Sequence, residues 1–233
     1  MKTMEKCFSA NRATSQATRE VKSYSHQSIA IRKNVLAISV SVITVLTLLV
    51  SGCAHSGHIS KSMQAGFGEG ATGPQEGKAM VVFMRPASLG YDIQSSVFEI
   101  KDNKPELLGI IAAKTKVGYQ ADPGQHLFMV IGESADFMNA NVLPNKTYYV
   151  IVKPRMGAWK ARFSIIPEER GKLDTGEFNK LLAVCRWVEK TPASDIWAAN
   201  NMNSIVSKQN AYYPRWAAKP ESEKSNLLPE DGR

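Results

Sequence analysis

The sequence predicts a mainly β protein: an antiparallel β-sandwich followed by C-terminal helices packed on it. Three observations predict this. Short runs rich in β-branched and aromatic residues recur between positions 78 and 166, with turn residues between them. Two of these runs are apolar on both faces, as strands in the middle of a covered sheet must be. After Pro167 the apolar spacing changes from two residues to three and four, the helical period.

The first strand is expected at KAMVVFMR (78–85), where Pro86 stops it. SSVFEIKD (95–102) follows and is closed by Asn103-Lys104-Pro105, then LLGIIAA (107–113) and the short run Lys116-Val117-Gly118-Tyr119. Asp122-Pro123-Gly124 turns the chain into QHLFMVIG (125–132), and Leu143-Pro144-Asn145-Lys146 turns it into TYYVIVKP (147–154). WKARFSII (159–166) sets Trp159, Ala161, Phe163 and Ile165 against Lys160, Arg162 and Ser164. Leu127, Met129 and Ile131 share one face, as do Tyr149 and Ile151, yet the opposite faces (Phe128, Val130; Tyr148, Val150, Val152) are apolar too. These two strands are expected to be central and covered on both sides.

Phe178, Leu181, Leu182, Cys185 and Val188 trace one helical stripe, although CRWVEKT (185–191) reads equally well as a strand. A second helix is expected to start at Thr191-Pro192-Ala193-Ser194 and to show Ala198, Met202, Ile205, Val206 and Gln209 on one face. Tyr212-Tyr213-Pro214 is expected to end it. The polar stretch 218–233 is expected to hug the domain loosely or stay mobile.

A different signal precedes the domain. Residues 35–50, VLAISVSVITVLTLLV, carry no charge; Arg32 and Lys33 stand before them and Ser51-Gly52-Cys53 after. This is the layout of a secretory signal. Sixteen helical residues span about 24 Å, short of the ~30 Å hydrocarbon core, so a permanent membrane span is the weaker reading. Val50-Ser51-Gly52-Cys53 resembles the lipobox of bacterial lipoproteins. The resemblance implies a diacylglycerol on the Cys53 thiol, cleavage before Cys53 and commonly a further acyl chain such as palmitate on the new amino group. One acyl chain holds a membrane marginally and two hold it stably. The expected organisation is therefore a signal peptide at 1–52 with a long polar n-region, a lipid-anchored flexible linker at 53–77, the β-sandwich at 78–167, and a helical cover with a polar tail at 168–233. Ala54, in place of an aspartate, implies sorting to the periplasmic face of the outer membrane.

Cleavage changes what the composition says. The whole chain has net charge +8, but the part from Cys53 onward has 22 Lys and Arg against 19 Asp and Glu, a net of +3. A nucleic-acid partner loses its main support, because most of the excess basicity belongs to the removed segment. Cys53 and Cys185 are the cysteines left; with Cys53 lipidated no internal disulfide can form, and Cys185 among large apolar residues reads as a buried thiol.

Signals for chemistry are scarce. Gly68-Glu69-Gly70-Ala71-Thr72-Gly73 fits a dinucleotide motif by letter, but no strand precedes it and Pro74 breaks the helix the motif would need after it, so it reads as linker. His55 and His58 are spaced too closely for a helical pair and lack acidic or cysteine neighbours, which argues against a metal site. His126 beside the Pro-Gly turn reads as an edge or cap residue. Asn145-Lys146-Thr147 matches a glycosylation sequon, which the turn explains. Tyr212, Tyr213, Arg215 and Trp216 read as packing at a helix end. The chain has no nucleophile elbow, Ser-x-x-Lys or zinc-protease motif. No catalytic, cofactor-binding or metal-binding residues are therefore expected, and Cys53 as lipidation site is the one modified position.

The strand K-A-x-V-x-x-x-R-P (78–86), the turn-and-strand D-P-G-x-H-x-F (122–128) and L-x-x-K-x-Y-Y-V-x-V (143–152) resemble, together with the lipobox, a domain-of-unknown-function family of small bacterial lipoproteins. The resemblance covers about residues 78–210 and implies a transthyretin-like or carboxypeptidase-regulatory-like β-sandwich, with no reaction to carry over. Two functions remain open. The first is a non-enzymatic envelope module that is held by the lipid on Cys53 and binds an envelope protein, peptidoglycan or a glycan. The alternative is a hydrolase-like envelope enzyme with a dispersed site, recognisable by a pocket grouping His126 with a carboxylate and a serine.

Overall fold

Turn chemistry brings the first strands together. Asp102 and Asn103 adopt φ of 48° and 63°, the pair of positive values a tight two-residue hairpin requires and that Asp and Asn tolerate. They join β3 (Ser95–Lys101) to β4 (Lys104–Ile111) in an antiparallel pair. Asn145, alone at φ 61°, turns the chain after residue 142, and its Oδ1 accepts from Gly77 N at 3.0 Å. The asparagine of the sequon thus has a turn role. A computed structural model describes residues 59–66, 73–155 and 162–233. The apolar segment 35–50, Cys53, His55, His58, residues 68–72 of the glycine run, and Trp159 to Ala161 lie outside the described residues.

The remaining strands are β1 (Met63–Ala65), β2 (Ala79–Arg85), β5 (Thr115–Ala121), β6 (Gly124–Ile131), β7 (Ala135–Val142), β8 (Thr147–Arg155), β9 (Arg162–Pro167), β10 (Arg186–Lys190) and β11 (Ser225–Leu227). Two helices are α1 (Gly176–Val184) and α2 (Pro192–Ala217). The strands form two sheets, β1-β10-β5-β2-β8-β9 and β11-β7-β6-β3-β4. Both sheets send side chains into one apolar core: Val81, Phe83, Val117, Tyr148, Val150 and Phe163 from the first, and Val97, Phe128, Val130 and Met138 from the second. Phe83 and Phe128 meet edge to face across it at 5.1 Å.

The expectation of purely antiparallel pairing is corrected. β2 pairs parallel with β8, β5 with β10, and β7 with β11. Parallel neighbours need long connections, and the chain supplies them: everything from β3 to β7 lies between β2 and β8 in sequence. The two strands expected to be central are so. β6 lies between β3 and β7, and β8 between β2 and β9. Tyr149, on the outer side of β8, packs on Phe178 of α1 at 5.0 Å, in a second cluster with Met80, Val82, Met84, Leu173 and Cys185.

The helical region also differs in detail from expectation. Thr175 caps α1, its side chain accepting from Phe178 N at 3.1 Å. The helix stops at Val184, and the ambiguous run after it is extended: Arg186 and Trp187 pair with Thr115 and Lys116 of β5. Pairing β10 between β1 and β5, with Val188 in the main core and Cys185 in the second cluster, outweighs continuing the helical stripe. α2 runs through Pro214 to Ala217. A proline this close to the helix end removes one hydrogen bond, and burial of Trp216 against Phe137 at 5.7 Å holds the final turn. The tail does not lie loosely. β11 adds a strand beside β7, and Arg233 exchanges both backbone hydrogen bonds with Thr147, at 2.8 and 3.1 Å. β1, inside the expected linker, pairs with β10 and buries Met63.

Candidate functional site

β3 and β6 are antiparallel neighbours, with Glu99 opposite Phe128. That register puts Glu99 beside His126, two residues before Phe128 on the same side of β6. Tyr119 reaches the same spot from β5 in the other sheet. The side chains of Glu99 and His126 are 3% and 8% exposed. Glu99 is thus a buried carboxylate, which must be paired to be tolerated.

It is paired fully. His126 Nδ1 hydrogen-bonds Glu99 Oε1, and Tyr119 Oη donates to Glu99 Oε2. Lys101 Nζ lies 3.0 Å from Glu99 Oε2, 3.1 Å from Glu106 Oε2 and 3.2 Å from Tyr119 Oη. Burial alone pushes the Glu99 carboxyl up, but the bonds from His126, Tyr119 and Lys101 outweigh it and hold it at about 2. Burial and the Glu99 bond together push the Tyr119 hydroxyl up to about 12. His126 Nε2 faces the carbonyl oxygen of Asp122 at 2.7 Å. Both ring nitrogens therefore face acceptors, so both must carry protons, and the ring sits as an imidazolium. Against the desolvation that lowers it, Glu99 and the Asp122 carbonyl raise the pKa of His126. The ring also stacks on Phe128 at 5.6 Å and 8°.

His126 does not sit at a sheet edge, since β6 is an internal strand, but its bond to the Asp122 carbonyl closes the turn before β6 as a cap residue does; through Glu99 and Tyr119 it is tied to the other sheet. A carboxylate does stand beside it, as a dispersed active site would need. No serine belongs to this network among the described residues, and a histidine with both nitrogens protonated has no lone pair with which to accept a proton. Glu99, Tyr119 and Lys101 were not singled out from the sequence. Two polar residues on apolar strand faces, Glu99 with Val97 and His126 with Phe128, were the available signal.

Two grooves flank α2. The first, of about 800 Å³, lies between β4, β5, β10 and the start of α2, over Leu107, Val117, Val188 and Met202. The second, of about 660 Å³, runs between α2 and the ends of β3 and β6; a side bay of about 290 Å³ extends it toward Ser60 and Ser62. Gln94, Ser96 and Trp197 line both the second groove and its bay.

Elsewhere, Cys185 is buried and free, and burial pushes its thiol up to about 12, far from reactivity at neutral pH. The Arg85 guanidinium, fully buried, donates to the carbonyls of Leu89, Gly90 and Ile93 and lies 4.9 Å over Phe163, closing the loop after β2. Tyr213 and Trp216 stack at 5.9 Å, with Trp216 buried in the α2 packing. Among the described residues no three His, Cys, Asp or Glu side chains converge as a metal site would need, and no helix is long and apolar enough to cross a membrane. No protein-family model matches the chain, and no curated protein matches it either.

Proposed function

We propose that the chain is a lipoprotein of the bacterial envelope, held by lipids on Cys53 at the periplasmic face of the outer membrane, whose folded part binds a ligand or partner without transforming it. The anchoring half rests on Val50-Ser51-Gly52-Cys53 following an uncharged run with a basic flank. The binding half rests on one observation: both nitrogens of His126 are engaged by acceptors, which makes the ring a structural cation rather than a general base. The common core of the two sheets supports a sandwich of the transthyretin-like kind, resembling the lipoprotein family of unknown function. The partner is an envelope protein, peptidoglycan or another glycan; nucleic acid is disfavoured by the net charge of +3 from Cys53 onward.

Metabolic labelling with a clickable palmitate analogue tests the anchor. The wild-type chain takes up label and fractionates with outer membranes. Cys53→Ala takes up none and accumulates as a larger, unprocessed precursor. Label in the variant, or unchanged size, contradicts the anchor; recovery of the wild type with inner-membrane markers contradicts the placement.

A further inference from the structure

We infer that the groove between α2 and the ends of β3 and β6 is a carbohydrate site that receives a glycan strand with a sugar ring against Trp197. The inference deepens the envelope-binding reading and rests on it for the ligand's source. Trp197, Asn201, Ser204 and Lys208 recur at helical spacing along one side of α2 and all line this groove. From Trp197 to Lys208 that stripe is about 16 Å long, and the bay at Ser60 and Ser62 continues it past Trp197. The trough is thus elongated, as a linear oligosaccharide needs.

Its chemistry is mixed in the way sugars are mixed. A pyranose ring offers an apolar face of C–H bonds and a rim of hydroxyls that both donate and accept. Trp197 supplies a broad aromatic face that remains partly exposed while it packs on the core. Around it stand the Gln94 and Asn201 amides and the Ser96 and Ser204 hydroxyls, groups that donate and accept in turn. Glu133, also in the lining, holds a carboxylate oxygen that is buried with no hydrogen-bond partner among the described residues; Arg162 Nε stands 3.7 Å away, beyond hydrogen-bond reach. Its charge is met by Arg162, and the oxygen keeps a lone pair for a hydrogen bond of the kind a sugar hydroxyl donates. A peptide strand would instead call for a free sheet edge or a continuous apolar channel. This groove sets Ile93, Ile131 and Ile205 among as many amide and hydroxyl groups.

Full-length protein in detergent, with the Trp197 indole N–H followed by NMR, tests this. The probes are chitotetraose, peptidoglycan glycan strands stripped of their peptides, and the free stem peptides. One or both carbohydrates shift the Trp197 resonance, and the stem peptides do not. Trp197→Leu keeps an apolar side chain but loses the aromatic face, and Ser204→Lys fills the trough from an exposed helix position; binding to both variants is read by calorimetry, since Trp197→Leu lacks the indole signal. Each weakens carbohydrate binding at least tenfold, and Ser204→Lys leaves the melting temperature unchanged. No shift with either carbohydrate, binding unaltered by Ser204→Lys, or shifts caused by stem peptides alone would overturn the assignment. Palmitate labelling at Cys53 is read separately, so loss of the anchor and loss of the glycan site are distinct results.

Discussion

Replacing Glu99 with Gln destabilises the fold by about 3–5 kcal/mol between pH 4.5 and 6.5, the cost of removing one partner from a buried ion pair. The loss shrinks on either side of that window. His126 is raised above its ordinary value of 6.5 in the folded state, so its contribution is complete below that pH and fades as pH climbs through the raised value. Glu99 is held at about 2 against an ordinary 4.5, so its contribution is present above 4.5 and fades as pH falls toward 2. Urea unfolding of wild type and variant across pH 2–9 therefore gives a stability difference that peaks in the middle. In the variant His126 escapes part of the cost at higher pH by losing its proton, since no carboxylate then holds it. A difference that stays flat with pH would mean that the pair is not charged as described.

Stopping the chain after Pro167 has a still larger effect: no soluble folded protein remains. The deletion takes away α1, β10, α2 and β11 together. Met80, Val82, Met84 and Tyr149 lose Leu173 and Phe178. Phe137 loses Tyr213 and Trp216, and the edges of β5 and β7 lose their parallel partners β10 and β11. Open edges and bare apolar faces are the two established routes to aggregation. The soluble fraction after expression, and dye binding of whatever remains, measure it. A soluble, cooperatively unfolding fragment 59–167 would show that the second layer is dispensable.

What could be read from the sequence divides along physical lines. The runs that became β2, β6 and β8 are dense in β-branched and aromatic residues on both faces, and each lies inside a sheet as their composition implies. β7 carries no strand signal of its own because ADFMNANV is poor in such residues; Ala, Asp and Asn disfavour strands locally, and its place is set by β6 and β11 on either side. β1 and β11 are three residues each and exist through their partners. The run from Cys185 to Lys190 carried helical and extended signals at once, and pairing with β5 decided between them. Pro214 argued for a helix end, but its effect on a nearly finished helix is small beside the burial of Trp216. The Glu99 network was hidden for a simpler reason: its members are 20 and 27 residues apart, and only the pairing of β3 with β6, and of one sheet with the other, brings them together. The second groove was hidden likewise, since Gln94 and Glu133 reach α2 through the fold alone.

If the working protein begins at Cys53 and is held to a membrane by lipid on that residue, its first tryptic peptide must carry the mark. Mass spectrometry of the peptide 53–61, from protein purified out of membranes, is the most direct test. The expected result is a peptide starting at Cys53, carrying diacylglycerol on the thiol, with no peptides from residues 1–52 in the same sample. An unmodified Cys53 within a longer peptide that includes Gly52, recovered from the membrane-bound protein, would contradict the proposed anchor.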